Sequence, residues 1–144
     1  MDEVEVPINT ETPRAVSAIV RRGNRYLLVL RANPPAQNMF AFPGGRVDPG
    51  EDATAAALRE LAEETGIIAT SARPYATYDL TPDRPAGEDH YLLTAFEVTE
   101  PGTVEPRALD DAAAVGWYEI AETRLLSMPV SMHACFDKLE ARGW

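Results

Sequence analysis

Apolar and polar positions alternate with turn residues in a way that outlines the chain. Ala15 to Arg21 and Tyr26-Leu27-Leu28-Val29-Leu30 read as strands, and Gly23-Asn24 between them is a hairpin signal. Residues 32–39 (ANPPAQNM) read as a loop. Phe40-Ala41-Phe42 reads as a short strand ending at the Pro43-Gly44-Gly45 turn, and residues 46–51 as a second loop turning at Pro49-Gly50. Asp52 to Thr65 carries the clearest helix pattern, with four alanines near its start, an acid at its N-terminus and Gly66 just beyond its end. Residues 67–80 read as a strand interrupted by Pro74, and residues 81–89 as a loop. His90 to Val98 and Val115 to Glu119 read as strands. Ser131 to Arg142 reads as a helix with Met132, Cys135, Phe136 and Leu139 on one face. Strands interspersed with two helices predict a mixed α/β or α+β sandwich.

The length of 144 residues is that of one ordinary domain. Residues 1–13 are polar and read as a flexible arm, leaving residues 14–144 as the expected single domain. No apolar run approaches the roughly 18 residues of a membrane span. The acidic start MDEVEVPINT lacks the features of a signal peptide. A single cysteine, Cys135, excludes an intramolecular disulfide framework and an all-thiolate zinc site. These features lead us to expect a cytoplasmic protein. The net charge of −10, from 23 acids against 13 bases, disfavours nucleic acid as a partner. It is compatible with phosphate-bearing small molecules, whose charge a divalent cation can bridge.

The charge matters most on the helix from Asp52 to Thr65. At 100° per residue, Glu60, Glu63 and Glu64 fall within an arc of about 100°. Leu58, Leu61, Ala57, Ala62 and Ala55 fall on the opposite side. Like charges at these spacings repel by several tenths of a kcal/mol per pair, and Arg59 is the local counter-charge. Carboxylates gathered this way suit a hard cation, Mg²⁺ or Mn²⁺; a merely solvated helix face is the other reading. Upstream, Gly44 and Gly45 offer a backbone free of side chains for close approach of a ligand.

From Gly45 the chain runs five residues to Glu51, seven more to Arg59-Glu60-Leu61, one to Glu63-Glu64, and one to Gly66-Ile67. This spacing resembles the Nudix box, the signature of the Nudix hydrolases, at every fixed position. Seven fixed identities at frequencies of about 5–7% coincide by chance on the order of once in 10⁹ start positions. The resemblance implies a Nudix α/β/α sandwich with a mixed sheet between helices. It implies that Glu60, Glu63 and Glu64 bind Mg²⁺ or Mn²⁺ together with the Gly44 carbonyl, and that Arg59 and Glu51 orient those carboxylates. It also implies hydrolysis of a nucleoside diphosphate linked to another group X, with Glu64, or next Glu60, as the general base.

Other expectations depend on the same resemblance. Asp111, six residues before Trp117, stands where family members place a further metal-binding acid. Arg31, Gly45 and Arg84 are candidate substrate contacts. Pro82, 15 residues after Ile67, resembles a mark of ADP-ribose pyrophosphatases, so ADP-ribose or a nucleotide sugar leads as substrate. The alternatives are a nucleoside triphosphate pyrophosphohydrolase that cleans the nucleotide pool and a non-catalytic nucleotide-sensing module. A homodimer is in keeping with family members of this size. Tyr75, Tyr78 and Trp117 are expected to pack, and Cys135 to serve as a small buried hydrophobe.

Overall fold

The computed structural model describes residues 14–34, 36–80 and 92–142. Its elements are β1 (Arg14–Ile19), β2 (Arg21–Arg22), β3 (Arg25–Arg31), β4 (Phe40–Ala41), β5 (Gly44–Arg46), α1 (Ala53–Thr65), β6 (Ser71–Asp79), β7 (Leu92–Thr99), β8 (Ala112–Glu119), α2 (Ile120–Thr123) and α3 (Val130–Ala141). One sheet, ordered β5-β1-β7-β6, is mixed: β1 runs parallel to β7, while β5 and β6 pair antiparallel at its edges. The other is antiparallel. In it β8 pairs along the whole of β3, and β2 and β4 pair with opposite ends of β3.

Alternation along the strands sorts side chains into two core layers. Ala18, Val20 and Leu27 pack with Leu61 and Ile67 on the α1 side. Ile19, Tyr26, Leu28 and Ala95 pack with Met132, Cys135, Phe136 and Leu139 of α3. Helices therefore cover both sides, which is why β1 and β3 are near-continuous apolar runs. The arrangement is the expected α/β/α sandwich, with the strand layer divided between two sheets. Phe136 anchors α3, meeting Tyr26 edge-on at 5.4 Å and Phe42 at 5.2 Å between ring centroids. Among the described residues, no helix is long and apolar enough to cross a membrane.

The α1 helix ends as its sequence demands. Asp52 accepts a hydrogen bond from the Ala55 N–H at 3.3 Å, and Gly66, at φ 82°, donates to the Ala62 carbonyl. Ala56 and Ala57, both 0% exposed, let the helix lie close to Val16 and Phe96.

Several sequence expectations need correction. Gly44 and Gly45 belong to a strand, not a turn, and pair with Ser17 and Val16. Pro74 does not interrupt β6: it sits in an edge strand, where a missing N–H is tolerated, and the register shifts between Pro74 and Ala76. The last strand begins at Ala112 rather than Val115. The short α2 has no periodic signal; a capping box between Glu119 and Glu122 holds it. Trp117 is only half-buried, and the Arg22 guanidinium lies 4.9 Å from its ring centroid. The expected arm at residues 1–13, together with Pro82, Arg84 and His90, lies outside the described residues.

Candidate active site

The site forms where β5, the edge strand beside β1, faces α1. Gly44 donates its N–H to Glu64 Oε1 at 3.1 Å, tying the strand to the helix. A Cβ added to Gly44 would strike the Val16 carbonyl and sit 2.9 Å from Ser17 Cα. A Cβ at Gly45 would sit 2.5 Å from the Glu60 carboxylate. A side chain at Gly44 would meet backbone that cannot give way, whereas one at Gly45 would displace the flexible end of Glu60.

Arg59 organises the acids. Its Nε and Nη2 donate to Glu51 at 2.8 and 2.9 Å, and its Nη1 donates to Glu60 Oε2 at 3.0 Å and Glu63 Oε1 at 3.1 Å. Nη2 also reaches the Arg46 carbonyl at 3.1 Å. Glu51 is held in place by a local turn, since its carboxylate accepts the Asp48 N–H at 3.0 Å and its own N–H donates to the Asp48 carbonyl. The bond from Arg59, helped by the Asp48 N–H, keeps the Glu51 carboxyl down at about 2.

The glutamates differ in environment. Glu63 is exposed, whereas Glu64 is buried at 5% exposure. Ala55, assigned by the helical wheel to the apolar face, is exposed. Glu64 therefore lies toward the packed side of α1 and points into the molecule. Burial pushes its carboxyl up to about 7, against the Gly44 N–H that favours the charged form; Glu60 adds to the rise and Arg31 opposes it. Burial also raises Glu60, against the pull of Arg59, and Glu63 and Asp110 reinforce the rise.

A cavity of about 450 Å³ opens beside these groups. It brings together Gly44, Gly45, Glu60, Glu64, Arg31, Asp110 and Asp111. Sequence reasoning named Asp111 and passed over Asp110. Asp111 Oδ1 accepts a hydrogen bond from Asn33 Nδ2 at 3.0 Å, and its carbonyl accepts the Ala32 N–H at 3.0 Å. Asp110 takes a left-handed backbone, φ 52°, and is the acid of this pair whose charge acts on both Glu60 and Glu64. Its loop is fastened to the end of α1 by the Leu109 N–H on the Glu64 carbonyl, 3.0 Å, and the Arg107 N–H on the Thr65 carbonyl, 2.9 Å. The left-handed backbone of Asp110 and the Asn33 bond to Asp111 separate the two aspartates, and neither is visible in the sequence.

A divalent cation fits this donor set. Glu64 is buried and Glu60 half-buried; desolvation disfavours the charged form of each, and Glu60 adds to the effect on Glu64. A cation between them would reverse that cost. Among the described residues no three acidic, histidine or cysteine side chains stand as a ready cluster. Arg59 instead takes oxygens from Glu51, Glu60 and Glu63.

The NUDIX domain family model matches residues 11–138. The chain belongs to the Nudix family. It is 36% identical over 107 residues to an ADP-ribose pyrophosphatase of Methanocaldococcus jannaschii, covering 74% of this chain and 61% of that protein. It is 36% identical over 88 residues to a putative 8-oxo-dGTP diphosphatase of Bacillus subtilis, covering 61% and 54%. The matches thus span only about half to three-fifths of these two relatives. A MutT NUDIX hydrolase from Burkholderia pseudomallei superposes with TM-score 0.76 at 23% identity, covering 88% of this chain and 97% of that one. A NUDIX hydrolase from Nitrosomonas europaea superposes with TM-score 0.77 at 24% identity, covering 91% and 90%. These structural likenesses establish the Nudix fold.

Proposed function

We propose that this Nudix chain hydrolyses the diphosphate linkage of a nucleoside diphosphate joined to a second group. The carrying observation is the packing of Glu60 and Glu64 against the Cβ-free Gly44-Gly45 strand at the cavity wall. ADP-ribose or a nucleotide sugar is the leading substrate class, supported by the 36% identity to an ADP-ribose pyrophosphatase. A nucleoside triphosphate is the second reading, supported by the likeness to a putative 8-oxo-dGTP diphosphatase.

Glu60, Glu63, Glu64 and the Gly44 carbonyl would hold Mg²⁺ or Mn²⁺, with Asp110 as the added acid in preference to Asp111. When bound, the cation supplies neutralisation of the diphosphate oxygens and a more acidic water. Arg59, fixed by Glu51, sets the rotamers of Glu60 and Glu63. Glu64 is the general base. Its Oε1 is engaged by the Gly44 N–H, so Oε2 receives the proton as water attacks phosphorus. Arg31 lies in the same cavity, suited to a substrate phosphate.

The test is product analysis on ADP-ribose, nucleotide sugars and nucleoside triphosphates, with Mg²⁺ and with Mn²⁺, beside a Glu63→Gln/Glu64→Gln double variant. Turnover of one class, lost in the variant, supports the reading. Tight nucleotide binding without turnover in either metal would replace it with a sensing module.

A further inference from the structure

Of the acids lining the cavity, Glu60, Glu64 and Asp110 have parts in the reading above, and Asp111 has none. Asp111 is nevertheless firmly held. Its carbonyl accepts the Ala32 N–H at 3.0 Å, and its Oδ1 accepts a hydrogen bond from Asn33 Nδ2 at 3.0 Å. Neither side chain has a further partner among the described residues. Asp111 Oδ2, Asn33 Oδ1 and the second hydrogen on Asn33 Nδ2 are therefore open to a ligand. Both side chains line the cavity, and both residues are exposed.

The chain around Asn33 is uncharged and held in place. Residues 32–39 contain no ionisable side chain, and Asn33, Pro34 and Ala36 line the cavity. Ala36 and Asn38 take left-handed backbones, φ 63° and 66°, which alanine ordinarily avoids. Strain of this kind gathers at ligand-binding segments whose surroundings impose it. Here the Arg31 N–H donates to the Met39 carbonyl and the Asn38 N–H to the Arg31 carbonyl, each at 2.9 Å. Asn33 follows Arg31 by two residues, so their backbones lie within about 7 Å of each other. A group attached to a phosphate at Arg31 would therefore reach Asn33 and Asp111.

Resting on the reading of the chain as a hydrolase of nucleoside diphosphates joined to a second group, we propose that Asn33 and Asp111 are the subsite for that second group and select a sugar. Neighbouring sugar hydroxyls each donate and accept. Asp111 Oδ2 accepts from one hydroxyl, and the Asn33 amide exchanges hydrogen bonds with the next. The bond between Asn33 and Asp111 fixes the spacing of the two receiving groups. A terminal phosphate at the same place has no proton to give the carboxylate and meets its like charge, with Asp110 adjoining. Attraction for hydroxyls and repulsion of phosphate thus act together, and nucleotide sugars are preferred to nucleoside triphosphates.

The test compares ADP-ribose and UDP-glucose, each with the ethyl ester of its own nucleoside diphosphate and with the matching triphosphate. The ethyl esters keep the diphosphate bond and lack the hydroxyls beyond it. With Mg²⁺ present, wild type is expected to favour the better nucleotide sugar over its ethyl ester at least about tenfold in kcat/KM, the worth of one hydrogen bond to a charged group. In Asp111→Ala that ratio should fall toward unity through KM, and the triphosphate should gain relative to the sugar. Asn33→Ala should narrow the ratio in the same direction, because Asp111 loses the bond that fixes it. A metal-binding or purely structural role for Asp111 would instead lower sugar and ethyl ester alike. A wild-type ratio near unity, a ratio unmoved in Asp111→Ala, or turnover of the triphosphates ahead of the sugars overturns the subsite and leaves the hydrolase reading standing. Absence of turnover on every compound, with Mg²⁺ and with Mn²⁺, overturns both.

Discussion

Gly45 and Glu60 compete for the same space: a Cβ on the glycine would sit 2.5 Å from the glutamate's carboxylate. Gly45→Ala should therefore leave the fold intact and displace Glu60. A misplacement on the order of 1 Å in such a group costs about 100-fold in rate. Gly44→Ala should behave differently. Its Cβ strikes the backbone of Val16 and Ser17, so it breaks the β1–β5 pairing and costs about 1–3 kcal/mol of stability. Thermal melts and Mn²⁺ titrations on the two variants separate the effects. Equal melting losses in both would show that Gly45 is structural.

Glu64→Gln keeps an oxygen acceptor for the Gly44 N–H and removes the proton acceptor at the other atom. We expect a loss of at least about 10² in kcat, with the melting temperature unchanged or higher because a buried charge is gone. Turnover within a few-fold of wild type would take Glu64 out of the general-base role and move attention to Glu60.

The two aspartates before β8 should separate on substitution. Asp110→Asn retains a residue type that tolerates φ 52° and removes the charge acting on Glu60 and Glu64. It should weaken Mn²⁺ binding about 10-fold or more. Asp111→Asn keeps an acceptor for Asn33 Nδ2 and should change the affinity less. Titration with Mn²⁺ followed by electron paramagnetic resonance reads both. The opposite order would restore Asp111 as the metal-binding acid.

Acid stability should depend on a pair far from the site. Arg22 donates to both oxygens of Glu100, at 2.9 and 2.8 Å, and this holds the Glu100 carboxyl below its ordinary value of 4.5 against the effect of burial. A carboxyl lowered in the folded state adds stability that is fully present above about 4.5 and lost as pH falls through the folded value. The pair is worth about 1.5 kcal/mol, the low end for charged hydrogen bonds, since Arg22 is partly exposed. Urea midpoints between pH 6 and pH 3 should fall more steeply for wild type than for Glu100→Gln. Parallel curves would show that the pair adds nothing.

Where local signals agree, the chain was readable before its structure. The α1 helix was placed within a residue because Asp52, the alanines and Gly66 each mark it independently. The Gly23-Asn24 hairpin was legible for the same reason, and it forms with Arg22 paired to Arg25. Gly44 and Gly45 misled because paired glycines signal a turn, whereas here they are extended, with β1 paired closely beside Gly44 and the Glu60 carboxylate set against Gly45. The helical wheel grouped Glu64 with Glu60 and Glu63, because angular position says nothing about how deeply a neighbouring strand will bury one of them. The different settings of Asp110 and Asp111 were beyond reach, since they arise in a loop fastened to α1 by backbone hydrogen bonds that side-chain identity does not encode.

Ala56 and Ala57 set the standoff between α1 and the strands beneath it. Their methyl groups act as a shim one turn before Glu60 and two turns before Glu64, on the side of the helix that they share with those glutamates. A larger side chain at either position would lift the whole acidic row away from Gly44 and Gly45. Natural variation at these two alanines would thus tune the height of the glutamates over the cavity without changing any group that meets the substrate. Selection for catalysis would then register as selection for smallness at residues the substrate never reaches.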